Sequence, residues 1–379
     1  MSTRDPRLGQ QWATRMAFLV AGIGFSTLAP LVPTVKARFS LDESSLGLLL
    51  LCVGLGSLGV MPFGGALAAR FGCRKVIVAS AIALALSLPG IILATSIPLL
   101  AISLLLMGAG GGTLDVVMNI QAVIVEEESG RPMMSGFHGL FSVGGIIGAG
   151  SLTGMMSLGI DPKICQVGIA FALLLMIVAA SPSMVGHHPT IHPAERSFVF
   201  PRGKVLLLGV LALILFMAEG SVADWSGVLL TKFRGVQPAQ AGLGYVAFSA
   251  MMTLNRLTGD FVIHRLGRRS VMLTGSLVGG LGFVVAAFTP FWLGSLVGFA
   301  MVGIGLSNVV PILFSETGKQ DVMPGSVALS SVSTMGYVGL LAGPPMLGFI
   351  ARGSSLLVSL SVLAVLCVGV AATTKLATE

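Results

Sequence analysis

The stretch GALAARFGCRK, residues 65–75, has a counterpart in GDFVIHRLGRR, residues 259–269: an offset of 195 places Arg70, Gly72 and Arg74 on Arg265, Gly267 and Arg269, and Gly64 on Gly259. Each basic segment follows one apolar run and precedes another. The offset also pairs Gly47 with Gly242, Gly108 with Gly303, Gly110 with Gly305, Gly144 with Gly339 and Gly148 with Gly343. A chain repeated in this way is built of two similar halves.

The halves are membranous. Of 379 residues 54% are hydrophobic and 10% charged, and the mean hydropathy is +0.96, far from the mix of a soluble domain. Runs of about 20 apolar residues, enough to span a bilayer, recur at 13–35, 44–69, 75–95, 98–125, 133–157, 163–184, 204–231, 238–263, 270–289, 292–315, 325–350 and 354–373. The pattern predicts an all-α integral membrane protein of twelve transmembrane helices in two pseudo-symmetric six-helix bundles. The bundles are residues 1–185 and 204–379, joined by a cytoplasmic linker at 186–203 that is rich in proline and charge. The first apolar run is too long for a removable leader and is expected to be the first helix.

The formal charge of +7 comes from basic residues at span ends and in short loops, where they set orientation. With both termini inside, fifteen face the cytoplasm, against Lys36, Arg38, Lys163, Lys232, Arg234 and Arg352 outside. This bias suits a multi-pass protein of a bacterial inner membrane and argues against nucleic-acid binding. Cys52, Cys73, Cys165 and Cys367 form no CxxC, and His187, His188 and His192 lack flanking cysteines or acids, so no disulfide, metal or cofactor is expected.

The basic loops resemble the signature of the major facilitator superfamily. With APLVPTVKARF (29–39), LDVVMN (114–119), GRPMMSGFHGLFSVGG (130–145) and AEGSVADWS (218–226), the chain is similar to the MosC/YbjJ-like branch of that superfamily. The resemblance implies alternating access by two halves around a central site, and its rhizopine association implies a sugar-like or polyol-like solute. Two departures stand out. The usual aspartate of the loop signature is replaced by Ala69 and His264, so the charge lock must be altered. Leu104 stands where drug exporters carry an arginine, and SVGGIIGAG lacks their Gly-Pro motif, which argues against a standard drug/proton antiporter.

Polar residues inside the spans are the candidate site, because lipid excludes them unless they face a partner or a cavity. Glu219 lies ~22 Å along span seven from Lys204, and Asp224 ~30 Å, about 140° apart around the helix, so they do not form one acidic site. Glu219 reads as a deep, unpaired acid able to carry a proton. Asp224 and Trp225 read as a solute contact near the outer mouth or as an interfacial anchor. Span four contributes Asp115 and, one turn on, Asn119; span five contributes His138 and Ser142 at the same spacing. His138 titrates near neutrality when unperturbed, so it joins Glu219 and Asp115 as a proton-coupling candidate.

Asn308 in span ten, with Ser333 and Tyr337 in span eleven, completes the substrate-binding set. Gating is assigned to Arg70, Arg74, Arg265 and Arg269 of the loops and to Glu126 and Arg131. Arg256 and Asp260 join them, their i, i+4 spacing suiting a helix salt bridge. The expected partners are a small-molecule solute, protons and the bilayer, for a chain acting as a monomer. The expected activity is proton-coupled secondary transport, not enzymatic: no nucleophile with its base and no phosphate loop is present. The alternatives are an exporter of amphipathic compounds and a non-transporting membrane sensor. The sensor would need an output module that a longest loop of about 20 residues does not supply.

Overall fold

The structure, a computed structural model, describes residues 6–41, 43–186, 200–236 and 242–379. The linker histidines lie outside the described residues. Every regular element is helical among them. Span one is α1 (Pro6–Ser26) and α2 (Leu28–Arg38); span two is α3 (Glu43–Val60), a 3-10 turn at Met61–Phe63 and α4 (Gly64–Phe71). There follow α5 (Cys73–Leu93), α6 (Ile97–Ser129), α7 (Met134–Ser157) and α8 (Pro162–Ala180). The second half has α9 (Gly203–Arg234), α10 (Leu243–Leu266), α11 (Arg268–Phe288), and α12 (Trp292–Leu306) with α13 (Val309–Lys319) as span ten. It closes with α14 (Gly325–Gly353), α15 (Leu356–Ala372) and the short α16 (Thr374–Thr378).

Ten helical segments among the described residues are long and apolar enough to cross a membrane. The apolar α15 has 17 residues, and α10 has the length but carries Asn255, Arg256 and Asp260 in its C-terminal half. The protein is an all-α, multi-pass membrane protein.

Two compact units emerge. One contains the described residues of Met1–Gly130, Leu140–Phe200 and Met323–Ser331; the other contains those of Arg131–Gly139, Pro201–Val322 and Val332–Glu379. In the first unit α6 packs on α3 and α5, and α5 packs on α8. The second unit repeats this arrangement, with α12 on α10 and α11, and α11 on α15.

The paired glycines of α6 and α12 are where those helices meet their neighbours. A methyl on Gly108 would run into the Val53 carbonyl, and one on Gly303 into the Phe248 carbonyl, which is the same contact shifted by 195. Gly110 faces Ser80 and Leu84 of α5, and Gly305 faces Gly275 and Gly279 of α11, again in register. In lipid no hydrophobic force draws helices together, so close backbone approach at small residues supplies the packing. The glycines of the basic loops have a different reason. Gly72 at φ 82° and Gly267 at φ 80° each end one helix and start the next in a conformation that disfavours side chains.

Gly110→Ala and Gly305→Ala are expected to lower the midpoint of thermal unfolding in detergent, by overpacking of about 1–3 kcal/mol each. Gly59, also helical but with nothing near its Cβ position, is the control. Gly59→Ala should be neutral or mildly stabilising through helix propensity.

Candidate functional site

Span ten breaks where its sequence requires it. Pro311 has no backbone N–H, so the Ser307 carbonyl four residues earlier has no donor within the helix. The chain leaves α12 at Leu306 and re-enters helix at Val309. Two side chains of α10 occupy the break. Arg256 Nε donates to the Ser307 carbonyl at 3.1 Å, and Asn255 Nδ2 donates to the Ile304 carbonyl and to Ser307 Oγ, each at 2.8 Å. Irregular backbone at membrane depth needs such internal partners.

The other edge of the same guanidinium reaches span seven. Arg256 Nη2 lies 3.3 Å from Glu219 Oε1 and 3.4 Å from Oε2, with Arg256 itself buried. The sequence reading of Glu219 as unpaired is therefore corrected: its counter-charge comes from α10. One arginine ties the span-seven acid to the break in span ten.

Asp260, one turn further along α10, accepts from the backbone N–H groups of Ser135 at 3.0 Å and Gly136 at 2.8 Å. These are first-turn amides of α7, which lack intrahelical partners and sit at the positive end of the helix dipole. The signature aspartate absent at His264 is thus supplied one helical turn earlier. The first unit holds the neutral version of this contact: Gly65 N–H donates to Ser330 Oγ at 2.6 Å, and the offset maps Gly65 on Asp260 and Ser330 on Ser135.

His138 is buried one turn into α7, its ring centroid 5.7 Å from that of Phe314 on α13. Asn308 sits at the break against Gly259. Asn308 Oδ1, Ser333 Oγ and Ser135 Oγ are buried without a hydrogen-bond partner among the described residues. Further along α9, Asp224 is exposed and Trp225 packs its ring on Gly348 of α14, with Nε1 buried and without a hydrogen-bond partner among the described residues. Tyr337 packs on Phe216 at 6.1 Å between centroids. Glu219 pairs with Arg256, whereas Asp224 is exposed.

In the first unit Asn119 donates to the Asp115 backbone carbonyl at 2.9 Å, leaving Asn119 Oδ1 and Asp115 Oδ2 buried without a partner among the described residues. Ser142 is half-buried on α7. Of the gating set, Glu126 is buried and Arg131 and Arg74 are exposed. Arg70 and Arg265 lie over the rings of Phe71 and Phe261 at 5.2 and 4.6 Å, and Arg269 pairs with Glu379 at 3.1 Å. Sequence reasoning missed Asn255, the Glu219–Arg256 pair and Gln166, a fully buried residue of α8 whose amide atoms both lack partners among the described residues. Pro311 was the available signal for the first two, because it marks the carbonyl that a polar neighbour must satisfy.

Comparison with known proteins places this arrangement in a family. The model of the Major Facilitator Superfamily matches residues 16–319. A Yersinia pestis protein described as an uncharacterised MFS-type transporter is 48% identical over 99% of this chain and 97% of its own length. The membrane protein MosC of Rhizobium meliloti is 31% identical over 91% of this chain and 84% of its own. The crystal structure of the E. coli fucose:proton symporter superposes with a TM-score of 0.77 at 15% identity, covering 97% of this chain and 98% of that one, a likeness of fold alone. The chain belongs to the Major Facilitator Superfamily and is a transporter of its MosC-like branch.

Proposed function

We propose that the protein moves a small polar solute, sugar-like or polyol-like, across the bacterial inner membrane by alternating access, coupled to protons. The observation that carries this reading is the ion pair of Glu219 with Arg256, whose guanidinium also holds the broken backbone of span ten at Ser307. Protonation of Glu219 removes one charged partner of the buried Arg256. The balance of interactions around the guanidinium then changes, which favours its rearrangement. Because the same group satisfies the span-ten carbonyl, the proton on Glu219 and the geometry of the break are linked.

Solute recognition is assigned to buried polar atoms that have no partner among the described residues. Asp115 and Asn119 in the first unit, and Asn308, Ser333 and Trp225 Nε1 in the second, offer acceptors and donors of the kind sugar hydroxyls use. His138 beside Phe314 adds an imidazole that can accept a proton or bond a hydroxyl. The resemblance of the fold to a fucose:proton symporter agrees with this chemistry without specifying the solute.

Export of amphipathic compounds is the second reading, favoured by an apolar groove of about 450 Å³ in the first unit that includes Val60, Phe71, Val76 and Leu106 and has a single cation, Lys75. A thermal-shift screen against polyols, sugars, amines and amphiphiles at two pH values separates the two. Stabilisation by hydroxylated solutes supports the proposal, and stabilisation by amphiphiles alone replaces it.

In proteoliposomes with an imposed pH gradient, Glu219→Gln should abolish accumulation of the solute while sparing exchange; an unchanged pH dependence would remove Glu219 from coupling. Asp115→Asn and His138→Ala should each weaken solute binding about tenfold, the effect of losing one strong buried hydrogen bond. Normal affinity in both would exclude spans four and five from the site. Arg256→Gln should lower the thermal midpoint, and Glu219→Gln added to it should restore part of the loss, since the double variant removes both charges of the pair but not the loss of the bond to the Ser307 carbonyl.

A further inference from the structure

At the end of the second unit that carries the repeated basic loop, α9 begins, α11 begins and α13 ends around a cavity of about 580 Å³. Its lining holds four cations, Lys204, Arg268, Arg269 and Lys319, against two carboxylates, Glu316 and Glu379. Glu316 is buried and takes Arg268 at 3.2 Å, Lys319 at 3.3 Å and Lys204 at 4.0 Å. Arg269 holds Glu379 at 3.1 Å. Charge in this cavity is therefore positive in excess, and Lys204 and Arg268 are themselves mostly removed from solvent.

The scaffold does not need these charges. Under the offset of 195, Glu316 corresponds to Gln121, and Lys204, Arg268 and Lys319 correspond to Gly9, Cys73 and Ile124. In the first unit Gln121 closes the equivalent place with neutral hydrogen bonds, donating to Thr14 Oγ1 at 3.0 Å and accepting from the Val185 N–H at 3.1 Å. Of the four cations only Arg269 has a basic counterpart, Arg74, in the first half. Glu316 and the three cations that pair with it have uncharged counterparts, so this buried ion cluster belongs to the second copy alone.

Its chemistry selects an anion with several oxygens. Arg268, Arg269 and Ser270 form the first turn of the 21-residue α11, so their backbone N–H groups lack intrahelical acceptors and stand at the positive end of the helix dipole. Two adjacent guanidinium groups at such an end, with ammonium groups of Lys204 and Lys319 opposite, match a phosphate group, which accepts forked hydrogen bonds and carries more than one negative oxygen. We propose that this cavity is a phosphate-group site, separate from the solute-binding and proton-coupling residues, filled by an anionic lipid headgroup or by a soluble phosphate compound. Glu316 acts in it as a fixed internal competitor that holds the cations in place and sets the affinity.

The test uses the purified full chain and reads binding, independently of transport. The thermal midpoint is followed with inorganic phosphate replacing chloride at constant ionic strength, and in phosphatidylcholine vesicles with and without phosphatidylglycerol. Stabilisation by phosphate alone identifies a soluble ligand; by phosphatidylglycerol alone, a lipid; by both, the phosphate group itself. The double variant Lys204→Gln/Arg268→Gln should weaken the effect about tenfold or more, whereas Arg202→Gln, an exposed neighbour outside the cavity, should not. Glu316→Gln should tighten binding several-fold by removing the competitor, an outcome that loss of structure cannot imitate. The proposal is overturned if neither anion stabilises the protein, if Arg202→Gln weakens the effect as much as the double variant, or if Glu316→Gln weakens it.

Discussion

Helix packing without a hydrophobic driving force is the constraint on which the rest of this protein depends. The glycines at 108, 110, 303 and 305 let α6 and α12 approach their neighbours until backbone meets backbone. Because the contacts of Gly108 and Gly110 recur 195 residues later at Gly303 and Gly305, the two units share one packing solution. Rigid units with defined crossings are what a transporter of this family moves.

Against that repeated scaffold the chemistry is unrepeated. Glu219, Arg256, Pro311 and Glu316 correspond to Gly24, Met61, Val116 and Gln121 in the first half. The break in span ten has no counterpart in α6, which runs unbroken from Ile97 to Ser129. Asp260 and Gly65 illustrate the point at one position: both sit where a partner helix begins, yet one offers a carboxylate to two amides and the other a backbone N–H to a serine. The charged residues of the second half thus engage in ion pairs and caps on a helix arrangement that the first half builds without them.

Arg256 shows how one residue can join separate readings. On its own helix it stands four residues from Asp260, the spacing that suggested a local salt bridge. In three dimensions its guanidinium bonds Glu219, 37 residues away, and Ser307, 51 residues away. Asp260 in turn caps α7, more than 120 residues distant. Short-range periodicity exposes pairs on one helix face and is silent on pairs brought together by packing. For that reason the acids and the arginine were legible as candidates while their partners were not.

The sequence by itself determined the membrane character, the helical class and the two-fold repeat, because these follow from hydropathy, element length and the spacing of residues along one chain. It also marked Asp115, Asn119, His138 and Glu219 as residues that lipid should have excluded. Only the tertiary structure decided which cation answers Glu219, which helix end Asp260 caps and where three cations converge on Glu316. Those facts depend on the rotation and depth at which helices distant in sequence lie side by side, quantities that no run of residues encodes locally.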